Sequence, residues 1–350
     1  MAEDHLEVVT EYLYEEQAIM CEKTDIQALG KAFLPILYAL VFTVGLVGNG
    51  LVVLTIVQGG RQKSVTDIFL LNLAICDLLF VISLPFWASY IVKGWTLGNI
   101  PCRIVSSFYS VGLYGGMFFI TVISIDRYFA IVRATCIMKA RTIRHGSLTS
   151  LAVWTLAILF AAPHFVFIRN IGRECTSLYP EHLEEIWPIF TYIEYNVIGF
   201  LLPLCIMSFC YLMIVKTLMS CKNHRKRRAM KLILLVVVVF FLFWTPYHIS
   251  LFLQILRLSD FFQSCSSRRL LDYTMQITES LAFSHCCLNP IIYAFAGEKF
   301  RKKLSRLALR CVSFFFFCAP CDRAPVPVPE VTITSNHTQN TSDQDGSILL

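Results

Sequence analysis

Apolar residues in this chain gather in long runs, and charged residues are confined almost entirely to the short stretches between them. Seven runs recur: Ala32–Val57, Ile68–Val92, Ile104–Ile125, Ser147–Ile168, Ile186–Val215, Leu232–Leu256 and Tyr273–Gly297. About 20 apolar residues, rising about 1.5 Å each along a helix, span the hydrocarbon core of a bilayer. Four runs carry no Asp, Glu, Lys or Arg, and the other three carry one carboxylate each: Asp77, Glu194 and Glu279. Buried helices of a water-soluble protein have shorter apolar stretches and a polar stripe. The pattern therefore predicts an all-α membrane protein, a seven-transmembrane helix bundle over residues 32–297.

Composition agrees. Of 350 residues, 56% are hydrophobic and 15% charged, against roughly 25% charged in average proteins. Lys and Arg cluster after the first, third, fifth and seventh runs, densest at Lys222–Arg228 and Lys299–Arg310. Cytoplasmic loops carry that excess, so the N-terminus is expected outside and the C-terminus in the cytoplasm. The net charge of +6 then reads as a face for anionic lipid and an intracellular partner. It is not read as a nucleic-acid surface, because no basic stretch is interleaved with RNA-binding aromatics or glycines. The start, MAEDHLEVV, lacks the basic and apolar parts of a signal peptide, so the first helix is expected to direct insertion.

The segments outside the bundle read distinctly. Residues 1–31 form an acidic tail, with eight carboxylates from Glu3 to Asp25 against Lys23. Tyr12 and Tyr14 stand among those acids in TEYLYEE, a sulfation context. Residues 298–312 place Phe300, Leu304, Leu307 and Cys311 at helical spacing among bases, the pattern of a short amphipathic helix on the cytoplasmic membrane surface. Residues 313–350 read as a disordered cytoplasmic tail. Cys311, Cys318 and Cys321 are palmitoylation candidates. Thr332, Thr334, Ser335, Thr338, Thr341, Ser342 and Ser347 are candidates for phosphorylation. Asn336 and Asn340 match the glycosylation pattern, but on the cytoplasmic side.

Four of fourteen cysteines, Cys21, Cys102, Cys175 and Cys265, fall in the outer segments. An even count in an oxidising space suggests two disulfides, and three connectivities are open. The favoured set is Cys102–Cys175, pinning the second outer loop over the bundle, with Cys21–Cys265 tying the tail to the last outer loop. Cys76, Cys205, Cys210, Cys286 and Cys287 read as small apolar packers. Pro85, Pro163, Pro203, Pro246 and Pro290 lie inside runs, where each removes a helix hydrogen bond. The polar residues left inside, Asn49, Asn72, Asp77, Glu279, His285 and Asn289, are costly at that depth and tend to face the interior.

The motifs resemble the rhodopsin-like G-protein-coupled receptors: GNGLV (Gly48–Val52), LNLAICD (Leu71–Asp77), Cys102, SIDRYFAIV (Ser124–Val132), Trp154, Pro203, FWTPY (Phe243–Tyr247) and NPIIY (Asn289–Tyr293). The resemblance covers all seven runs. It implies an activation switch in which Asp126 neutralises Arg127 at rest, beside Tyr128, and Trp244 with Pro246 forms the bend point. Tyr211 and Tyr293 would meet Arg127 in the active state, and Asn289 and Pro290 belong to the same device. Relatives that clamp the arginine use a carboxylate on helix six. Here the matching position is Lys226, and no Asp or Glu occurs from Lys216 to Leu256, so a readily switching receptor is expected. Asp77 and Asn289 resemble the family's interior sodium site, but Gly116 stands where a serine is usual, so one oxygen is missing. No other cofactor is implied.

SLPFW (Ser83–Trp87) and HCCLNPIIYAF (His285–Phe295), with the short basic third inner loop, resemble the chemokine receptors, CC-chemokine receptors among them. There is no lysine over Leu270–Ala296 for a retinal, and Tyr109 stands where amine receptors have an aspartate. The resemblance implies a plasma-membrane receptor for a small basic chemokine. The acidic tail would capture the ligand, with Tyr38, Trp87, Tyr109, Tyr247 and Glu279 lining the pocket. The expected partners are an inhibitory (Gi/o) class G protein, receptor kinases and arrestin, and the expected outputs are calcium signalling and chemotaxis. The competing reading is an atypical receptor that scavenges ligand without G-protein signalling; such relatives often have a damaged DRYLAIV, and here Phe129 alone departs from it. A transporter would show internal repeats or intramembrane charge lines, and neither is present. No HExxH, GxSxG or P-loop occurs, so an enzyme is not expected.

Overall fold

A computed structural model describes residues 24–58, 64–133, 142–219, 224–259, 261–262, 264–296 and 305, with the side chains of 24–27, 29, 224–236 and 293–296 outside the description. With no water inside a bilayer, each backbone N–H and C=O must be satisfied within its own segment, and helices do this. Among the described residues the seven runs form seven helices: α1 Thr24–Val57, α2 Val65–Lys93, α3 Asn99–Ile131, α4 Ile143–Phe167, α5 Ile186–Met219, α6 His224–Leu258 and α7, which begins at Cys265 and ends at Ala296. Most extend beyond the apolar runs, because capping and amphipathic turns carry them further. Ser64, for example, accepts from the Asp67 backbone while Asp67 accepts from the Ser64 N–H, a capping box that starts α2 three residues before its run.

Six of these helices are long and apolar enough to cross a membrane on length and composition. The seventh run, expected to qualify, does not. Its first section, Cys265–Ser284, carries Arg268, Arg269, Asp272 and Glu279, and a 3-10 turn at His285–Cys287 then separates it from Leu288–Ala296. Arg269 is exposed, while Arg268, Asp272 and Glu279 are half-buried. Of the best apolar window of α3, 61% is buried, against 22% for α4, so α3 is the axis of the bundle and α4 its rim. Ile36 and Leu212, at 72% and 70% exposed, belong to the outward surface that lipid would cover.

Polar ties join the helices where the apolar effect cannot, since lipid is as apolar as the side chains. Asn49 donates to the Gly45 and Cys286 carbonyls at 3.0 and 3.1 Å, linking α1 to α7. Trp154 Nε1 donates to Asn72 Oδ1 at 2.8 Å, linking α4 to α2. The prolines act as expected and a further one, Pro35, lies inside α1. Ahead of Pro203, α5 relaxes into a π turn over Val197–Leu201, which accommodates the ring and the missing N–H. Ser83 Oγ bonds back to the Phe80 carbonyl at 2.6 Å beside Pro85.

Between α4 and α5 an antiparallel hairpin, β1 Ile168–Ile171 and β2 Glu174–Ser177, pairs Ile168 with Ser177 and Ile171 with Glu174 around Gly172. A disulfide joins Cys175 of β2 to Cys102 at the start of α3. The Trp95 N–H donates to the Arg173 carbonyl at 2.7 Å, and the Asn170 N–H to Asn99 Oδ1 at 3.1 Å. The hairpin is thereby held at the end of the bundle where α3 begins. Cys265 is also disulfide-bonded, while Cys21 lies outside the described residues. Cys76, Cys210, Cys286 and Cys287 are buried free thiols, but Cys205, expected to pack inside, is exposed on α5.

Candidate functional site

At the hairpin end, aromatic side chains from different helices converge. Tyr109 of α3 contacts Phe80 and Trp87 of α2 and Phe283 of α7, with ring centroids 5.5, 6.2 and 5.6 Å apart. Tyr38 of α1 reaches the same Phe283 at 6.0 Å. Tyr247 of α6 lies within hydrogen-bonding reach of Tyr109, and Glu279 of α7 is close enough to Tyr38, Tyr109 and Tyr247 to interact with each electrostatically. The five bundle positions named from the sequence, Tyr38, Trp87, Tyr109, Tyr247 and Glu279, thus lie around one aromatic centre. Among the described residues no cation pairs with Glu279. Its carboxylate faces phenols, and the Trp87 Nε1 beside them is buried without an acceptor.

Two pocket residues escaped sequence reasoning. Tyr195 of α5 stacks on Tyr114 of α3 at 5.0 Å and approaches His164 Nε2 of α4 at 3.3 Å. His248 of α6 stacks flat on Phe200 in the π turn, with centroids 4.3 Å apart, and its Nδ1 is buried without a partner. A tyrosine or histidine inside an apolar run carries no spacing signal, so neither residue stood out. Glu194, beside Tyr195, accepts from the Tyr114 hydroxyl at 2.8 Å. That pairing explains how α5 carries a carboxylate inside its apolar span.

Deeper in the bundle lies a small cavity, with about 30 Å³ of room for the centres of water-sized molecules, lined among others by Asp77, Gly116, Trp244, His285 and Cys286. Asn289 Nδ2 donates to Asp77 Oδ2 at 2.9 Å, so α2 and α7 meet as the motif pair suggested. Trp244 packs against Phe240, Tyr247, His248 and His285, each 6.1 or 6.2 Å away. Two residues on, Pro246 leaves its carbonyl to accept from Ser250 Oγ at 3.0 Å. Pro290 follows Asn289 in the last helical section. Among the described residues no three His, Cys, Asp or Glu side chains gather as a metal centre.

At the opposite end, Arg127 is 3% exposed and Asp126 8%. The neighbouring helices close over both residues. Arg127 Nη2 lies 4.0 Å from Asp126 Oδ2. Thr66 of α2 completes the contact: its Oγ1 accepts from Arg127 at 2.6 Å and donates to Asp126 Oδ2 at 3.1 Å. A threonine at a helix start has no sequence mark, so this link was missed too. Tyr211 accepts from Ser124 Oγ at 3.2 Å, one turn from Arg127. Tyr128 is half-buried, with Phe129 and Phe209 5.3 and 5.7 Å away.

Several expectations lie outside the described residues: Cys21, Tyr12, Tyr14, the side chains of Lys226 and Tyr293, the surface helix over 298–312 apart from Ser305, and the tail cysteines, phosphorylation sites and asparagines beyond it.

The sequence profile of the 7 transmembrane receptor (rhodopsin family) matches residues 48–293. The chain is 52% identical over 344 residues to CX3C chemokine receptor 1 of Bos taurus, covering 96% of each chain. It is 50% identical over 352 residues to CX3C chemokine receptor 1 of Homo sapiens, covering 98% of this chain and 99% of the relative. C-C chemokine receptor type 4 of Homo sapiens is 46% identical over 338 residues, covering 95% of this chain and 93% of the relative.

Proposed function

We propose a function from one premise: the chain belongs to the rhodopsin family of seven-transmembrane receptors and, within it, to the chemokine receptors. It is a multi-pass plasma-membrane receptor and not an enzyme. Its proposed ligand is a chemokine of the CX3C class, with the C-C class next, following the relatives' names. Its proposed output is activation of an inhibitory-class G protein, followed by calcium signalling and cell migration. Kinase phosphorylation of the tail and arrestin docking would end the signal.

The observation that carries this reading is Glu279, a carboxylate among Tyr38, Tyr109 and Tyr247 with no cation beside it among the described residues. A lone carboxylate inside a bundle is a functional site by default. A protein ligand's N-terminal ammonium supplies the missing charge. The acidic tail and the acids of the second outer loop, Glu174, Glu181, Glu184 and Glu185, steer a basic protein toward that entrance. Ligand pressing on Tyr109 and Tyr247 would shift Trp244, which packs one turn below, and Pro246 lets α6 bend there. Opening α6 would release Arg127 from Thr66 and Asp126 toward the G protein. Phe129 does not disturb this arrangement, since it packs on Tyr128 at the rim, so the scavenger reading gains no support.

The test is to express the chain in cells and apply a chemokine panel that includes the CX3C and C-C classes. G-protein activation and ligand uptake are read together. Activation abolished by pertussis toxin is the expected result. Uptake without activation would favour a scavenger, and silence on both would overturn the ligand class.

A further inference from the structure

We infer that the cavity below Trp244 holds a cluster of water molecules in place of the sodium ion that the family resemblance implies. The donor set does not fit sodium. A hard cation needs several oxygen ligands. Of the groups here, Asp77 and Asn289 offer side-chain oxygens, and Asn289 already spends its amide nitrogen on Asp77 Oδ2. Gly116 offers none. The point its Cβ would occupy lies 3.9 Å from Asp77 Oδ1, with no other atom within 4 Å, so the missing hydroxyl leaves a gap that nothing fills. His285 presents a ring nitrogen, and the Cys286 thiol is turned back onto the Phe283 carbonyl at 3.1 Å.

The orphaned atoms distinguish water from a cation. His285 Nε2, Asn289 Oδ1 and Trp244 Nε1 are all buried without a hydrogen-bond partner, in residues 4%, 1% and 7% exposed. The indole N–H is a donor only. A cation satisfies acceptors and repels donors, so it leaves Trp244 unpaired. Water satisfies both kinds, provided it finds two to four polar partners, and at about 10–15 Å³ per molecule the 30 Å³ of room here holds about two. The cluster would connect the bend-point tryptophan to Asp77 and Asn289. Movement of Trp244 would then be relayed through water, and ambient sodium would not restrain it.

The test uses the purified full-length receptor without any chemokine, so its outcome is independent of the ligand assignment. Thermal unfolding is followed in sodium chloride and in an equal concentration of N-methyl-D-glucamine chloride. Anything that binds the folded state preferentially raises Tm. The wild type is expected to unfold at the same temperature in both. The variant Gly116→Ser, which supplies the missing oxygen, is expected to gain a sodium-specific rise of a few degrees. Radiolytic footprinting, which oxidises side chains that touch internal water, is expected to label Trp244 in the wild type despite its burial. A sodium-specific rise in the wild type overturns the inference. So does a folded Gly116→Ser receptor that stays indifferent to sodium, or a Trp244 that escapes labelling.

Discussion

Glu279 and Arg127 are charges at opposite ends of the bundle, and their surroundings give them different tasks. Arg127 is satisfied at close range by Thr66 and Asp126, so it is locked. Glu279 has phenols around it and, among the described residues, no cation, which is why the proposed function gives it one. Glu279→Gln keeps the shape and removes the charge. If the acidic tail supplies most of the affinity, the variant should lower signalling potency by tenfold or more, about 1.4 kcal/mol, while ligand binding to cells falls much less. Paired dose–response and binding curves check this, and equal losses in both would place the charge in capture instead. Glu279 was legible because it is the sole carboxylate of its run. Thr66, His248 and Tyr195 were not, because ordinary residue types gain a role only from partners far away in the chain, 60 residues away for Thr66 and Asp126.

Among the elements, α2 and α3 approach most tightly at Gly112. A Cβ there would fall 2.8 Å from both the Cys76 carbonyl oxygen and the Phe80 nitrogen. Backbone atoms cannot rotate away, so Gly112→Ala forces the helices apart. Overpacking of this kind costs about 1–3 kcal/mol, and the variant should show lower Tm and lower surface expression. Gly116→Ala, four residues on and facing open space, should change neither. A thermal-unfolding comparison of the two decides it. The sequence shows three glycines in one helix, Gly112, Gly115 and Gly116, and cannot rank them. The prolines were better marked, since each announces a lost hydrogen bond. Even so, the local form differs by helix: a π turn before Pro203 and a 3-10 turn before Pro290. Neighbouring helices select among these.

For the whole molecule, the proposed function rests on an equilibrium between α6 closed and α6 open. At the far end from the hairpin, Arg127 of α3 is held by Thr66 of α2 and by Asp126 beside it. At the hairpin end Arg257 of α6 pairs with Asp272 of α7 at 2.6 Å. No carboxylate in Lys216–Leu256 can add a clamp from α6. Lys226→Glu introduces one, and it should reduce ligand-independent G-protein activation by severalfold at equal surface expression. An unchanged or raised basal signal would show that α6 is restrained elsewhere.

The sequence by itself determined the membrane, the seven helices and the receptor family. These follow from run length, charge placement and short motifs, and such local properties need no knowledge of neighbours. The family resemblance also singled out Tyr38, Trp87, Tyr109 and Tyr247, which the structure brings together, and the favoured Cys102–Cys175 bond is present. The tertiary structure decided which charges are satisfied. It placed Thr66 beside Arg127, paired Glu194 with Tyr114, and left Trp244, His285 and Asn289 with unpartnered atoms around or beside one cavity. Hydrogen bonds reach only about 3 Å, so who meets whom depends on how the helices rotate and pack, which no stretch of chain specifies alone.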